Sequence, residues 1–276
     1  MTLAHRKPRI GIALGAGSAR GWAHIGVLEA LLDAGIVPES VCGTSVGALV
    51  GAVYADDELA ALKDWVRALT WRKLVGYLDV SFRGGLVKGD RLFDFLRGDL
   101  LDKRIEALGR PFAAVATDLV NGREVWLREG PVADAVRASI AIPGLFTPWL
   151  EDDHQLVDGA LVNPVPVSLA RAMEADFVIA VDLGSSTVGR HMRRPDTGKR
   201  HPRRPSMLEV VTGSLNIMSV RIARGRLAGE PADVVIQPLL GELGLLDYHR
   251  GVEAIAEGRA ATELMIPQIR RLLDEA

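Results

Sequence analysis

Val41-Cys42-Gly43-Thr44-Ser45-Val46-Gly47 is a short apolar β-type run that passes through a Gly-x-Ser-x-Gly pentapeptide, GTSVG, into a small-residue helix over 46–54. This junction decides the reading of the chain. Gly43 and Gly47, two residues before and after the serine, let a strand turn sharply into a helix. Ser45 is then held on a strained corner, its hydroxyl exposed and the positive end of the helix beneath it. The pentapeptide alone is a weak signal, so its strand-turn-helix context carries the inference.

Working outward, strand-like runs recur at 9–14, 40–43, 111–117, 124–127, 155–157, 177–182 and 234–237. Helical patterns separate them at 22–34, 46–54, 58–68, 132–139, 165–173, 207–227 and 252–274. Several of the strands are apolar throughout, as buried strands are. The alternation predicts an α/β fold, a three-layer α/β/α sandwich around a mainly parallel central sheet. With 276 residues, 48% of them hydrophobic, the chain is expected to form one domain over 1–276, with core motifs in 9–182, a basic loop at 187–205 and a C-terminal helical part at 206–276. The least regular stretch, 71–101, reads either as a cap over a site or as a surface excursion.

Charge excludes some functions. A net charge of −2 gives no basic excess to neutralise phosphates, so nucleic acid is not an expected partner. Seven cations nevertheless fall within 190–204, opposed only by Asp196. That segment reads either as a solvated loop or as a peripheral contact for an anionic membrane. The N-terminus runs into no apolar signal core and the longest uncharged apolar stretch, 41–55, is too short to span a bilayer. A cytoplasmic protein, peripheral at the inner membrane where the basic segment touches it, is the expectation. The single cysteine, Cys42, lies on the strand before Ser45 and reads as a small core residue.

A serine nucleophile needs a base and donors for the oxyanion formed at the attacked carbonyl. Gly15 to Gly21, GAGSARG, follows the first strand and opens the first helix, and its small residues leave backbone N–H groups uncovered. A dinucleotide-phosphate loop is the competing reading. Its glycine spacing is one residue too long, and the second strand has no acid placed to hold a ribose. Among the bases, His5 lies in the N-terminal lead, and His191 and His201 lie in the basic segment. His24 sits on the helix after the glycine loop. His154 precedes Asp158 by four extended residues, about 13 Å, too far to pair without a bend. His249 with Asp158 or Asp182 would give a Ser-acid-His order, although Ser45 lies on only the second strand. Asp158, ending a strand and followed by Gly159, points from a sheet edge and would act directly as base if burial raised its pKa.

GAGSARG with Trp22 to Val27, then GTSVG, then Ala138-Ser139-Ile140-Ala141-Ile142-Pro143, and finally Asp158-Gly159-Ala160 with Asn163-Pro164-Val165-Pro166, together resemble the patatin-like phospholipases, most nearly their compact bacterial branch. The resemblance spans 9–182 and fades beyond Asp182, so the basic segment and the last two helices are expected to be particular to this chain. It implies a histidine-free dyad of Ser45 as nucleophile and Asp158 as base. The loop Gly15, Gly17, Ser18, Ala19, Arg20 and Gly21 would form the oxyanion hole, chiefly through the backbone of Gly17 to Arg20. Ala16 stands where many members carry glycine. The implied activity is hydrolysis of fatty-acyl esters of lipids through an acyl-enzyme, without metal or cofactor. An acyltransferase with the same nucleophile and a non-catalytic protein retaining the fold are the alternatives.

Overall fold

The computed structural model describes residues 6–70, 98, 101–151, 153–185 and 206–275. Nearly all of 71–101, the basic segment 190–204, and His5, His191 and His201 therefore lie outside the described residues.

Parallel pairing builds the centre of the sheet. β1 (Ile10–Leu14) lies between β2 (Ser40–Thr44) and β7 (Phe177–Val181), and β8 (Val234–Ile236) extends the sheet beyond β7. β3 (Phe112–Asp118) pairs parallel with the other side of β2. Side chains alternate between two helical layers, as the two-residue period of a strand requires. Ile12, Leu14, Val41, Phe112, Ile179 and Val181 point into one core with α1 (Ala23–Asp33), α2 (Val46–Ala55), α3 (Leu59–Arg67), α4 (Val132–Ser139) and α7 (Gly251–Glu275). Ala13, Cys42, Ala113, Val115, Val178 and Ala180 point the other way, against α5 (Val167–Ala172) and Ala223 of α6 (Met207–Gly229). The result is the expected three-layer sandwich, with large side chains on one face and small ones on the other. α7 closes the first layer. It crosses α1 so tightly that a Cβ on Gly258 would lie 2.0 Å from the Ala23 carbonyl oxygen.

The sheet is antiparallel at one side. Ala114 and Val115 of β3 pair with β2 on one edge and with β4 (Glu124–Leu127) on the other. Ala116 and Thr117 pair with β4 and also with β6 (His154–Asp158), so β6 occupies the same edge of β3 as β2, further along. β5 (Trp149–Glu151), a three-residue strand absent from the sequence reading, forms a hairpin with β6. Because β6 runs antiparallel to β3, its last residue, Asp158, arrives opposite Ala116 at the carboxyl end of β2. That is where Ser45 sits.

Candidate active site

Every residue of β2 is buried, and the chain leaves it through Ser45 at φ 57°, ψ −127°, a region where a side-chain-bearing residue is strained by about 1–3 kcal/mol. The surroundings enforce the turn. A Cβ on Gly43 would meet the Gly47 oxygen at 2.2 Å, and one on Gly47 would meet the Leu14 oxygen at 2.2 Å, so strand and helix pack backbone on backbone. Ser139, the last residue of α4, pins the corner to β3: it accepts the Ser45 N–H (2.8 Å) and donates its hydroxyl to the Val115 oxygen (2.6 Å).

Ser45 Oγ donates to Asp158 Oδ2 at 2.7 Å. The other carboxylate oxygen accepts the Ala160 N–H (2.8 Å) in the turn after β6. Backbone contacts fix the aspartate itself, through its N–H to Ala141 oxygen and its carbonyl to the Thr117 hydroxyl. Asp158 is 3% exposed. Burial pushes its carboxyl up to about 6, outweighing the opposing hydrogen bonds from Ser45 and Ala160.

The glycine loop borders the same cleft, but its N–H groups are not equivalent. Those of Gly15, Ala16, Ala19 and Arg20 donate to the carbonyls of Val181, Pro164, Leu245 and Gly17. Those of Gly17 and Ser18 have no partner among the described residues, and both residues line the cleft with Ser45 and Asp158. Gly21 serves packing instead: a Cβ there would lie 2.1 Å from a methyl of Val46. Ser18 is held in the left-handed region (φ 52°), and its hydroxyl shares a 2.6 Å hydrogen bond with Tyr248. Arg20, 2% exposed, donates from Nε to the Leu243 oxygen, and burial lowers its guanidinium to about 10, which leaves it charged at neutral pH. Residues 243–248 thus grip the loop from the far end of the chain.

The remaining candidates lie elsewhere. His24 is buried beneath the loop, where burial lowers it to about 4; it is neutral at pH 7, and Nε2–H donates to the Gly15 oxygen at 2.7 Å. His154 is exposed and pairs with Asp118, and His249 is exposed on the turn after β8. Among the described residues no histidine hydrogen-bonds Ser45 or Asp158. Asp182 does border the cleft, with its carboxylate held by the Gly184 N–H and the Gln237 amide. The Cys42 thiol is buried, donates to the Pro166 oxygen, and is pushed up by that burial. The cleft opens about 820 Å³ of space continuous with solvent over the Ser45–Asp158 pair. A hydroxyl bonded to a buried carboxylate, beside two unpartnered N–H groups, supplies the parts that acyl transfer needs. Sequence reasoning did not find the Ser139 pin or Tyr248. Ser139 stands inside a motif already noted, whereas Tyr248 lies 230 residues from its partner and carries no local signal.

Residues 12–171 match the family model described as patatin-like phospholipase. The chain belongs to the patatin-like phospholipase family. An NTE family protein of Mycobacterium tuberculosis is 32% identical over an alignment taking in 92% of this chain and 90% of that protein. Such coverage must take in most of the residues beyond Asp182, so this patatin-like chain shares much of its C-terminal third with that relative, contrary to the expectation that it would be particular. The human patatin-like phospholipase domain-containing protein 6 is 35% identical over 64% of this chain, a region amounting to 13% of that much longer protein. VipD from Legionella pneumophila has a similar fold, with a TM-score of 0.50 at 12% identity, covering 95% of this chain and 67% of that one.

Proposed function

We propose that the protein is a serine acyl hydrolase that cleaves fatty-acyl esters of lipids. The observation that carries this reading is the 2.7 Å hydrogen bond from Ser45 Oγ to the buried carboxylate of Asp158, at the floor of an apolar cleft. Ser45 Oγ attacks the ester carbonyl carbon while its proton passes to Asp158 Oδ2. The tetrahedral oxyanion is met by the N–H groups of Gly17 and Ser18, which narrows the donor set of the loop to the two whose hydrogens are otherwise unengaged. Collapse expels the alcohol, which takes the proton from Asp158 and leaves the acyl group on Ser45. Water then gives a proton to Asp158 as its oxygen attacks the acyl-enzyme. The fatty acid departs and Ser45 recovers its proton. A carboxyl near 6 is mostly ionised at neutral pH yet far more basic than an ordinary aspartate, which suits it to both transfers. Ile142, Leu145, Leu161, Leu183 and Leu215 line the cleft and offer an apolar wall to the acyl chain. The work is done at the cytoplasmic face of the inner membrane, where the cations of 190–204 meet anionic headgroups.

Ser45→Ala and Asp158→Asn should each lower hydrolysis of a p-nitrophenyl acyl ester by about a thousandfold or more, with unchanged circular dichroism. A fluorophosphonate should label Ser45 in the native protein. Undiminished turnover by Asp158→Asn would remove the dyad, and an unlabelled Ser45 would point to a non-enzyme.

A further inference from the structure

α6 carries apolar side chains on two opposite faces, one of them mixed with polar residues. Toward the cleft it turns Thr212, Leu215, Asn216, Ser219, Val220 and Ala223. At about 3.6 residues per turn these positions span an arc of roughly 140°. On the opposite side, within an arc of about 100°, lie Met207, Val210, Ser214, Ile217, Met218 and Arg221. The four apolar members of that outer stripe are 84%, 50%, 53% and 49% exposed. This departs from the usual surface helix, whose outer face is polar.

Charge and area choose the partner. The stripe carries no acid and ends in an exposed arginine, Arg221. Over 207–220 the helix has one charged residue, Glu209, which lies off the stripe and closes the capping box with Ser206. Immediately before that cap the sequence runs Arg203-Arg204-Pro205, the end of the cationic segment. Apolar residues flanked by cations with acids absent is the composition of a helix lying on an anionic lipid surface. A stable dimer, by contrast, needs roughly 20–30 residues a side, several times what the stripe offers.

We infer that the outer face of α6 docks on an anionic phospholipid bilayer, so that the helix lies between the lipid surface and the Ser45 cleft. The inference rests on the lipid-hydrolase reading only for its purpose. A helix seated in the headgroup layer places the wall of the cleft beside the acyl chains, and a lipid reaches Ser45 without crossing bulk water.

The full-length protein and its Ile217→Ser/Met218→Ser variant are to be floated with vesicles of equimolar phosphatidylcholine and phosphatidylglycerol. The native protein should float, and the variant's bound fraction should drop by about tenfold or more. Both should cleave a soluble p-nitrophenyl ester at the same rate, because neither residue lines the cleft. A Met207→Ser/Val210→Ser variant tests the same stripe if the first is poorly folded. Flotation of both variants like native protein would overturn the inference. So would equal binding of native protein to pure phosphatidylcholine vesicles, or a dimer in size-exclusion that the variants convert to monomer without any vesicle binding. Flotation lost in the variants of a protein that cleaves no ester would leave docking standing and remove the hydrolase reading. Unaltered flotation alongside intact esterase activity would do the reverse.

Discussion

Asp158 is held where its charge is least welcome, and both its activity and its stability effects follow from that burial. In the proposed mechanism Asp158 must be ionised to take the Ser45 proton, so kcat/KM should fall about tenfold per pH unit below about 6 and level off above it. The stability effect has the opposite sign from that of a salt-bridged aspartate. The folded carboxyl holds its proton up to about 6, whereas the unfolded one releases it near 3.8. Between those values the native state binds the extra proton, and stability declines as pH rises, by roughly 3 kcal/mol in all. Asp158→Asn should therefore raise Tm at pH 7 and leave it nearly unchanged at pH 4, as calorimetry at the two values would show. Tyr248→Phe removes the partner of the Ser18 hydroxyl; a lost hydrogen bond of about 1 kcal/mol should slow turnover roughly five- to tenfold with KM unchanged. A matching rise in KM would instead place Tyr248 in substrate binding. Ser45 and Asp158 were legible in the sequence because each ends a strand within a short motif of small residues. Ser139 and Tyr248 were not, because their part depends on which segments the fold lays side by side.

Elements were legible to the extent that their own pattern sufficed. Seven of the strands and the seven α-helices named above stand near their sequence-read limits, because apolar runs and helical periodicity are local properties. β5 was missed because three residues after Pro148 carry no period. The antiparallel side of the sheet was hidden for a different reason. Asn121-Gly122, with Gly122 at φ 71°, marks the turn of the β3–β4 hairpin, but no local signal tells a strand which edge its neighbour has left free. Two glycines test the tightest contacts between elements. Gly47→Ala puts a methyl into the Leu14 carbonyl and should destabilise the fold by about 3 kcal/mol or more and abolish fluorophosphonate labelling. Gly258→Leu drives α7 off α1 at the Ala23 carbonyl, and its urea midpoint should drop with no change in the site's chemistry in the surviving folded fraction.

On the scale of the molecule, the stretch that marks the family is shorter than the unit that folds. Residues 12–171 hold Ser45 and Asp158 but lack β7, which flanks β1 at the centre of the sheet, and α7, whose Ala254, Ile255 and Ile269 complete the larger core. A fragment ending at 171 should be insoluble or unfolded by circular dichroism; a soluble, cooperatively melting fragment would contradict this. It would also lack residues 243–248, which hold Ser18, Ala19 and Arg20 from the other end of the chain. The succession of β2 and β6 along one edge of β3 has its own consequence. Ser45 and Asp158 are 113 residues apart in the chain, yet the gap between them is measured by β3, as by a ruler whose first half ends at Thr44 and whose second half begins at Asp158, with Ser139 and Ala141 tying the same two residues from the end of α4. Loops in that interval, other than 139–141, which holds the backbone N–H groups of both residues, are free to lengthen without disturbing the pair. One residue added within β3 would turn Asp158 to the far face of the sheet, and two would draw it about 7 Å away, beyond the reach of any proton transfer.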